Sequence, residues 1–226
     1  MFYKITPSTD VNIIGTDSGA QAETAIYPIN IWDPLHIGRW NFKEVPDYVV
    51  IPILKIRAKA KLTDLMAVYF NGSSHRLTIS NKLKEILDRN QHGNIQFLPL
   101  TLSHKSKSIK NYWLTNIIKF DNDEAVNYEL SNVFLEGTGY KEYTKLNINN
   151  YEEHLFERRK DRDTYLQGYR SIYIHELIFK SNIINNIAII NFITNGGVGY
   201  YVSEKLKTEI EEAGCTGIVF EPVEQM

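Results

Sequence analysis

Six histidines, one cysteine and many carboxylates are the groups in this 226-residue chain with the chemistry for catalysis or metal binding. Their spacing argues against both. His36, His75, His92, His104, His154 and His175 are scattered, with no His-x-x-x-His pair and no glutamate placed as a metallopeptidase base. Glu152-Glu153-His154 comes nearest to a metal-ligand cluster and falls short of one. Cys215, the sole thiol, precedes an expected buried strand, which reads as a packed side chain rather than a nucleophile. There is no Gly-x-Ser-x-Gly elbow. Asn195-Gly196-Gly197-Val198-Gly199 lacks the Lys-Ser/Thr ending of a phosphate loop and runs into a strand, so it reads as a hairpin turn. No catalytic, cofactor-binding or metal-binding residue is assigned, and a non-enzyme without cofactors is expected.

Binding chemistry is better represented. Lys105, Lys107 and Lys110 stand close to Tyr112 and Trp113, the basic and aromatic mixture that single-stranded nucleic acid uses. Against that, 25 basic and 27 acidic residues give a net charge of -2, so no global field favours nucleic acid or an anionic membrane. Nucleic acid is an unlikely partner, and a membrane is not expected. Two acidic stretches are candidate protein-recognition surfaces: the corner at Asp121, Asp123 and Glu124, and the mixed-charge run carrying Glu152, Glu153, Glu157, Asp161 and Asp163. The simpler reading of the second is a solvated helix or loop. Tyr27 to Phe42 is aromatic but interrupted by Pro and Gly, and reads as irregular cover over a sheet face.

The elements that would position these residues are mostly strands. Fourteen tyrosines, ten phenylalanines and many β-branched residues favour sheet over helix, and 43% hydrophobic content suffices for a substantial core. The fold class expected is a strand-rich α+β protein with a mixed or antiparallel sheet. It would form either a single domain over 1–226 or two closely packed lobes, 1–105 and 106–226. A lone cysteine excludes an intramolecular disulfide framework and suits a reducing compartment. No basic stretch followed by an apolar run opens the chain, and Ile184 to Ile193 is too short and too interrupted by asparagine to span a bilayer, so a soluble cytoplasmic protein is expected.

Organisation comes from a segment written twice. Residues 80–100 and 203–223 align without a gap and share Ser, Lys, Leu, Lys, Ile, Phe and Pro. That is seven identities where random pairing gives roughly one. Ser80 and Ser203 are expected N-caps. Leu83, Ile86 and Leu87 in one copy, and Leu206, Ile210 and Ala213 in the other, form an inward stripe, leaving Lys82, Lys84, Lys205 and Lys207 as solvated positions. Strands follow at 95–97 and 218–220 and end at Pro99 and Pro222. Upstream, Leu65 to Phe70 with Arg76 to Ile79, and Ile187 to Ile193 with Tyr200 to Val202, read as hairpins. Two related hairpin-helix-strand units, about 65–100 and 187–223, therefore predict the frame. Phe2 to Ile5, Tyr48 to Ile56, Ile109 to Ile118 and Ser171 to Phe179 read as further strands, and Asp121 to Ser131 as a short helix or turn.

Tyr200-Tyr-Val-Ser-Glu-Lys-Leu-Lys through Ala213-Gly-Cys-Thr-Gly-Ile-Val-Phe-Glu-Pro-Val223 resembles the C-terminal signature of immunity family eleven of bacterial polymorphic toxin systems. In that signature a strand ends in Val-Ser-Glu, a helix follows, and a Thr-Gly turn leads to a strand ending in Pro. Ala125-Val-Asn-Tyr-Glu-Leu-Ser131 and Glu176-Leu-Ile-Phe-Lys180 fit as well, with Asn127 standing where the family pattern has Asp. The resemblance covers 60–223 in blocks and leaves 1–45 outside it. It implies a cytoplasmic antidote that binds a cognate toxin protein tightly and catalyses nothing. The alternatives are a nucleic-acid or scaffold-binding adaptor and, less well supported, an unrecognised hydrolase.

Overall fold

A computed structural model describes residues 1–69, 75–136, 143–163, 171–193 and 197–223; for Lys160–Asp163 and Ser171 it describes the backbone alone. Among these, five α-helices and thirteen strands form two mixed sheets, a strand-rich α+β fold. In chain order the strands are β1 Phe2–Pro7, β2 Ala22–Ile26, β3 Ile53–Ile56, β4 Leu65–Met66, β5 Thr78–Ser80, β6 Ile95–His104, β7 Lys107–Ile117, β8 Asn132–Glu136, β9 Tyr143–Leu146, β10 Ser171–Glu176, β11 Ile187–Ile193, β12 Gly197–Ser203 and β13 Ile218–Val223. The helices are α1 Val11–Ile14, α2 Asn81–Asn90, α3 Asn122–Ala125, α4 Tyr151–Asp163 and α5 Glu204–Glu212. One sheet runs β13-β1-β12-β11-β10-β8-β9, the other β2-β3-β6-β7-β5-β4. Only β10 with β11 and β3 with β6 pair in parallel.

The two hairpin-helix-strand segments adopt matching arrangements. Ser80 and Ser203 cap α2 and α5, each hydroxyl accepting from the backbone N–H three residues on, at Leu83 and Leu206. Each cap hydroxyl also donates one step back, to Asp64 at 2.6 Å and to Asn186 at 3.0 Å, the residues preceding β4 and β11. Each helix follows directly on the second hairpin strand, and the strand after it lies one position away with an antiparallel strand between. In the first segment that strand is β7. In the second it is β1, from the start of the chain. Trp113 of β7 lies opposite Pro99 and Ile79, and Tyr3 of β1 lies opposite Pro222 and Val202, the residues aligned with them in the gapless comparison.

Side chains repeat the correspondence. Trp113 donates from its indole to Asn81, and Tyr3 donates from its hydroxyl to Glu204, the first residue of each helix. The Lys84 ammonium lies 5.5 Å from the Phe97 ring and 5.4 Å from Trp113, while Lys207 lies 5.6 Å from Phe220 and 5.0 Å from Tyr3. These side chains are only 22% and 21% exposed, so the two lysines are not the solvated positions that the helical pattern suggests. Their aliphatic stems cover the aromatic pair, and the ammonium reaches Asp88 or Glu211 one turn on. Lys82 likewise pairs with Asp64 and donates to the carbonyls of Ala213 and Gly214, joining one segment to the other.

A central core draws on both sheets and both helices, with Leu83, Ile86, Leu87, Leu206 and Ile210 packed against Ile5, Ile79, Ile95, Ile117, Ile189 and Val202. Ala213, expected in the inward stripe, is the C-cap residue instead and is exposed. Inside the core the Tyr200 hydroxyl meets the Thr115 hydroxyl at 2.9 Å, bridging the sheets, and donates to the His75 carbonyl at 2.9 Å. The outer face of the second sheet is covered by residues 37–51, and that of the first by α3, the start of α4 and the stretches at 125–128 and 177–179.

Several strand boundaries differ from the expectations. Tyr48 to Ile56 becomes strand only from Ile53, beyond Pro52, and the polar run before Glu23 contains α1, with Asp10 as N-cap and Gly15 left-handed at φ 75° as C-cap. A Cβ on Gly15 would stand 2.6 Å from the Lys59 carbonyl oxygen, so that position requires glycine.

The cap geometry orders two substitutions. Ser203→Ala removes a hydroxyl bonded to a neutral amide and should cost about 1 kcal/mol. Ser80→Ala also strips a hydrogen bond from the buried side of Asp64, and should cost about 2 kcal/mol. Urea unfolding at pH 7 measures both, and equal losses would contradict the assigned role of Asp64.

Candidate functional site

Of the groups with catalytic or ligating chemistry placed in the interior, Asp121 is the most fully engaged by the fold. Asp121 is 3% exposed. Its backbone N–H donates to the Ile189 carbonyl at 2.8 Å, and its carboxylate accepts from the Ile189 N–H at 2.8 Å and from the Asn94 side chain. Burial pushes its carboxyl above the ordinary range, and these hydrogen bonds only partly offset that. Beside it, the Asn122 side chain accepts from the Asn191 N–H at 2.9 Å and donates to the Asn191 carbonyl at 3.1 Å. β11 meets β10 through a single register pair, Ile174 with Ile193, so its edge from Ile189 to Asn191 would lack partners. Two side chains from α3 take the place of a strand there. Asp121 is therefore a correction to the acidic corner: it is interior and unavailable to a partner.

The remaining acids divide by position. Asp123 is exposed; its carboxylate accepts from the Tyr151 N–H, and its carbonyl accepts from Lys180. Glu124 pairs with Lys119 at 2.8 Å, which holds its carboxyl below the usual range. Glu153 and Asn150 form a capping box at the start of α4: Asn150 accepts from the Glu153 N–H, while Glu153 accepts from the Asn149 N–H and both asparagine side chains. Glu152 is exposed and Glu157 half-buried, and the Asp161 and Asp163 side chains lie outside the described residues. A shallow depression of about 430 Å³ runs along α4 between Glu152, Glu153, Leu155, Phe156 and Arg159.

His154, the third member of Glu152-Glu153-His154, points the other way and is fully buried. It stacks 4.8 Å from Phe192 and edge-on to Tyr128, and burial pulls its imidazole down to about 4. His75 is brought down to about 4 by burial and by Arg76. Cys215 is half-buried, and burial together with nearby Asp64 pushes its thiol up to about 11. Lys105, Lys107 and Lys110 are exposed on and beside the β6–β7 turn, but Tyr112 is buried with its hydroxyl donating to the Thr63 carbonyl, and Trp113 is held by Asn81. The lysines thus have no exposed aromatic platform beside them. Among the described residues no group of three or more His, Cys, Asp or Glu could hold a metal.

The two stretches 125–131 and 176–180 are hydrogen-bonded to each other. Val126 bridges Phe179, Asn127 donates to the Ile178 carbonyl, Lys180 donates to Ala125, and the Ser131 hydroxyl accepts from the Ile178 N–H. Asn127 uses its side-chain oxygen to accept from the Leu130 N–H, closing the turn. These two of the blocks that fit the family pattern are therefore one structural unit over the outer core. The model of the immunity protein family Imm11 matches residues 1–225. The chain belongs to the Imm11 immunity protein family. No curated protein matches it. The Imm11 match takes in residues 1–45, which the sequence blocks leave out; of these, Phe2–Pro7 is an inner strand between β12 and β13. Membership of Imm11 points to toxin-neutralising immunity and to a toxin protein as partner. No helix among the described residues is long and apolar enough to cross a membrane.

The surface that sequence reading missed is Tyr27 to Phe42. Ile37 and His36 are buried as expected of cover, but Ile31, Trp32, Leu35 and Phe42 face solvent, with Trp32 78% exposed. Proline and glycine signal an irregular backbone, and nothing in the local pattern says which side of it the aromatics take.

Two outcomes follow from the buried groups. His154 and His75 are neutral when folded, with pKa values below the unfolded value near 6.5, so their contribution is full above that pH and lost as pH falls toward 4. Stability by urea titration should drop over that window by on the order of 3 kcal/mol per histidine at most. Asp121, raised by burial, acts in the opposite sense as it takes up its proton, but His75 still loses stability over this window, so His154→Phe should flatten the acid limb without abolishing it. Cys215 should react with a disulfide reagent at pH 8 only after unfolding. Rapid labelling of the native protein would contradict the inert-thiol assignment.

Proposed function

We propose that the protein neutralises a cognate bacterial toxin by forming a tight protein–protein complex in the cytoplasm of the producing cell, with no catalysis of its own. The observation that carries this reading is the Imm11 match across 1–225. The interior placement of Asp121 and His154, and the half-buried thiol of Cys215, agree with a binder, since none of them is presented as a reactive group at the surface.

In this reading the exposed acids Asp123, Glu124 and Glu152 form a charged rim that speeds capture of a basic toxin surface rather than anchoring it. Glu153 and Glu157 act through α4, on which they sit. The toxin belongs to a polymorphic system, and the two hairpin-helix-strand segments are copies of one ancestral unit. The chain works as one domain, because its central core draws on both segments.

Co-expression tests the reading. The product of the adjacent toxin gene should stop growth when expressed alone, and this protein should restore growth and co-purify with it. Toxicity unrelieved by this protein would overturn the proposal. Charge reversal at Glu152 and Asp123 should slow association and reduce its salt dependence while leaving a measurable complex.

A further inference from the structure

Residues 30–50 contain no strand, yet their backbone is held at many points. The Asn30 and Asp33 side chains accept from the Trp32 and Leu35 N–H groups, and His36 caps the turn Ile37–Arg39. Val50 donates to the Leu35 carbonyl, and the buried Arg76 guanidinium donates to the Ile37 and Trp40 carbonyls. Ile37, Val45 and Val49 pin the underside into the core. The upper side is apolar and open: Trp32 is 78% exposed, Tyr48 and Ile31 63%, and Phe42 41%.

Trp32, Trp40 and Tyr48 are tied together within this segment. The Arg39 guanidinium lies 5.7 Å from the Trp32 ring, the Trp40 indole donates to the Pro34 carbonyl and meets Tyr48 edge-on at 6.1 Å, and the Lys43 ammonium lies 4.2 Å over Trp40. Phe42 has φ 58°, a left-handed conformation that costs an aromatic residue energy and is tolerated where the surroundings impose it. An indole in water contributes little to folding, whereas Trp, Tyr and Arg on a preorganised surface carry most of the energy of protein interfaces.

We propose that this aromatic loop is the anchor by which the protein holds its toxin, the toxin offering an apolar pocket for Trp32 with carboxylates at its rim. The inference rests on the toxin-binding reading. The carboxylates are required because Arg39 and Lys43 make no ion pair with the described residues and lie against the rings that a partner would cover. Burying those cations unpaired would cost more than the rings contribute. A nucleic acid fits less well, since residues 30–50 carry only two cations, Arg39 and Lys43, among three acids, Asp33, Glu44 and Asp47, and so offer isolated charges for discrete carboxylates and no continuous basic track for a phosphate backbone. The anchor also adjoins the charged rim: Phe42 packs 5.0 Å from Phe120, adjacent in sequence to the α3 corner that carries Asp123 and Glu124.

Calorimetric titration of the full-length protein with the toxin encoded beside it tests the anchor, using Trp32→Ala, Arg39→Glu and the control Ile184→Ala, an apolar side chain 93% exposed outside the loop. All three should melt like the parent. Toxin affinity should fall about thirty-fold or more for Trp32→Ala and Arg39→Glu, and stay unchanged for Ile184→Ala. Parental affinity in both loop variants would overturn the anchor and leave the immunity reading standing, whereas a parent that does not bind the toxin would overturn both. Dimerisation that Trp32→Ala abolishes, or quenching of Trp32 by a single-stranded oligonucleotide in place of toxin binding, would reassign the loop and overturn the proposal.

Discussion

A helix that starts on the last residue of a hairpin and returns to the same sheet must leave a gap, and filling that gap organises this protein. β5 runs straight into α2 and β12 into α5, so β6 and β13 re-enter one strand position away. The facing edges carry backbone donors and acceptors that need partners when buried. In one segment the next strand, β7, turns back to supply them; in the other β1, Phe2–Pro7, supplies them. The first seven residues thus close the last sheet. Both helices can then turn their apolar stripes into a common core between the sheets.

A second, smaller gap explains the polar interior. β11 has β12 along one side but hardly touches β10 on the other, and α3 presents Asp121 and Asn122 to its exposed peptide groups. A carboxylate buried for this purpose has a raised pKa and looks, by that measure alone, like a functional acid. Its hydrogen bonds identify it as structural. The same holds for His154, whose depressed pKa comes from burial among Tyr128, Phe192 and the Ile172 carbonyl. Perturbed titration mostly reports depth in this molecule.

In the proposed binding role, the interior and the surface answer to different demands. The interior has to be stiff, and Asp64 and Lys82 tie the two segments together, Asp64 accepting from the Thr216 N–H and Lys82 donating to the Gly214 carbonyl. The surface has to match one partner. Arg76 connects the two demands, since its buried guanidinium fixes the carbonyls of the loop whose upper side presents Trp32 and Tyr48 to solvent.

The sequence alone determined the local elements that depend on nearest neighbours and period. Both serine caps, the stripe of α2, Leu206 and Ile210 of α5, the starts of the strands ending their units and the short helix at α3 were legible because a cap hydroxyl, a helical repeat or a turn residue acts within a few positions of itself, whereas Pro99 did not end β6, which runs on to His104 with Pro99 opposite Trp113. The family blocks at 125–131 and 176–180 were legible too, though not that they bond to each other. What only the tertiary structure decided are the contacts between distant residues: β1 between β12 and β13, Asp121 turned inward to β11 instead of outward to a partner, Lys84 and Lys207 laid over aromatic rings, and the aromatic side of residues 31–48 left open. A strand's partner, and the side of an irregular loop that meets water, are set by what the rest of the chain leaves unpaired, and no local pattern carries that information.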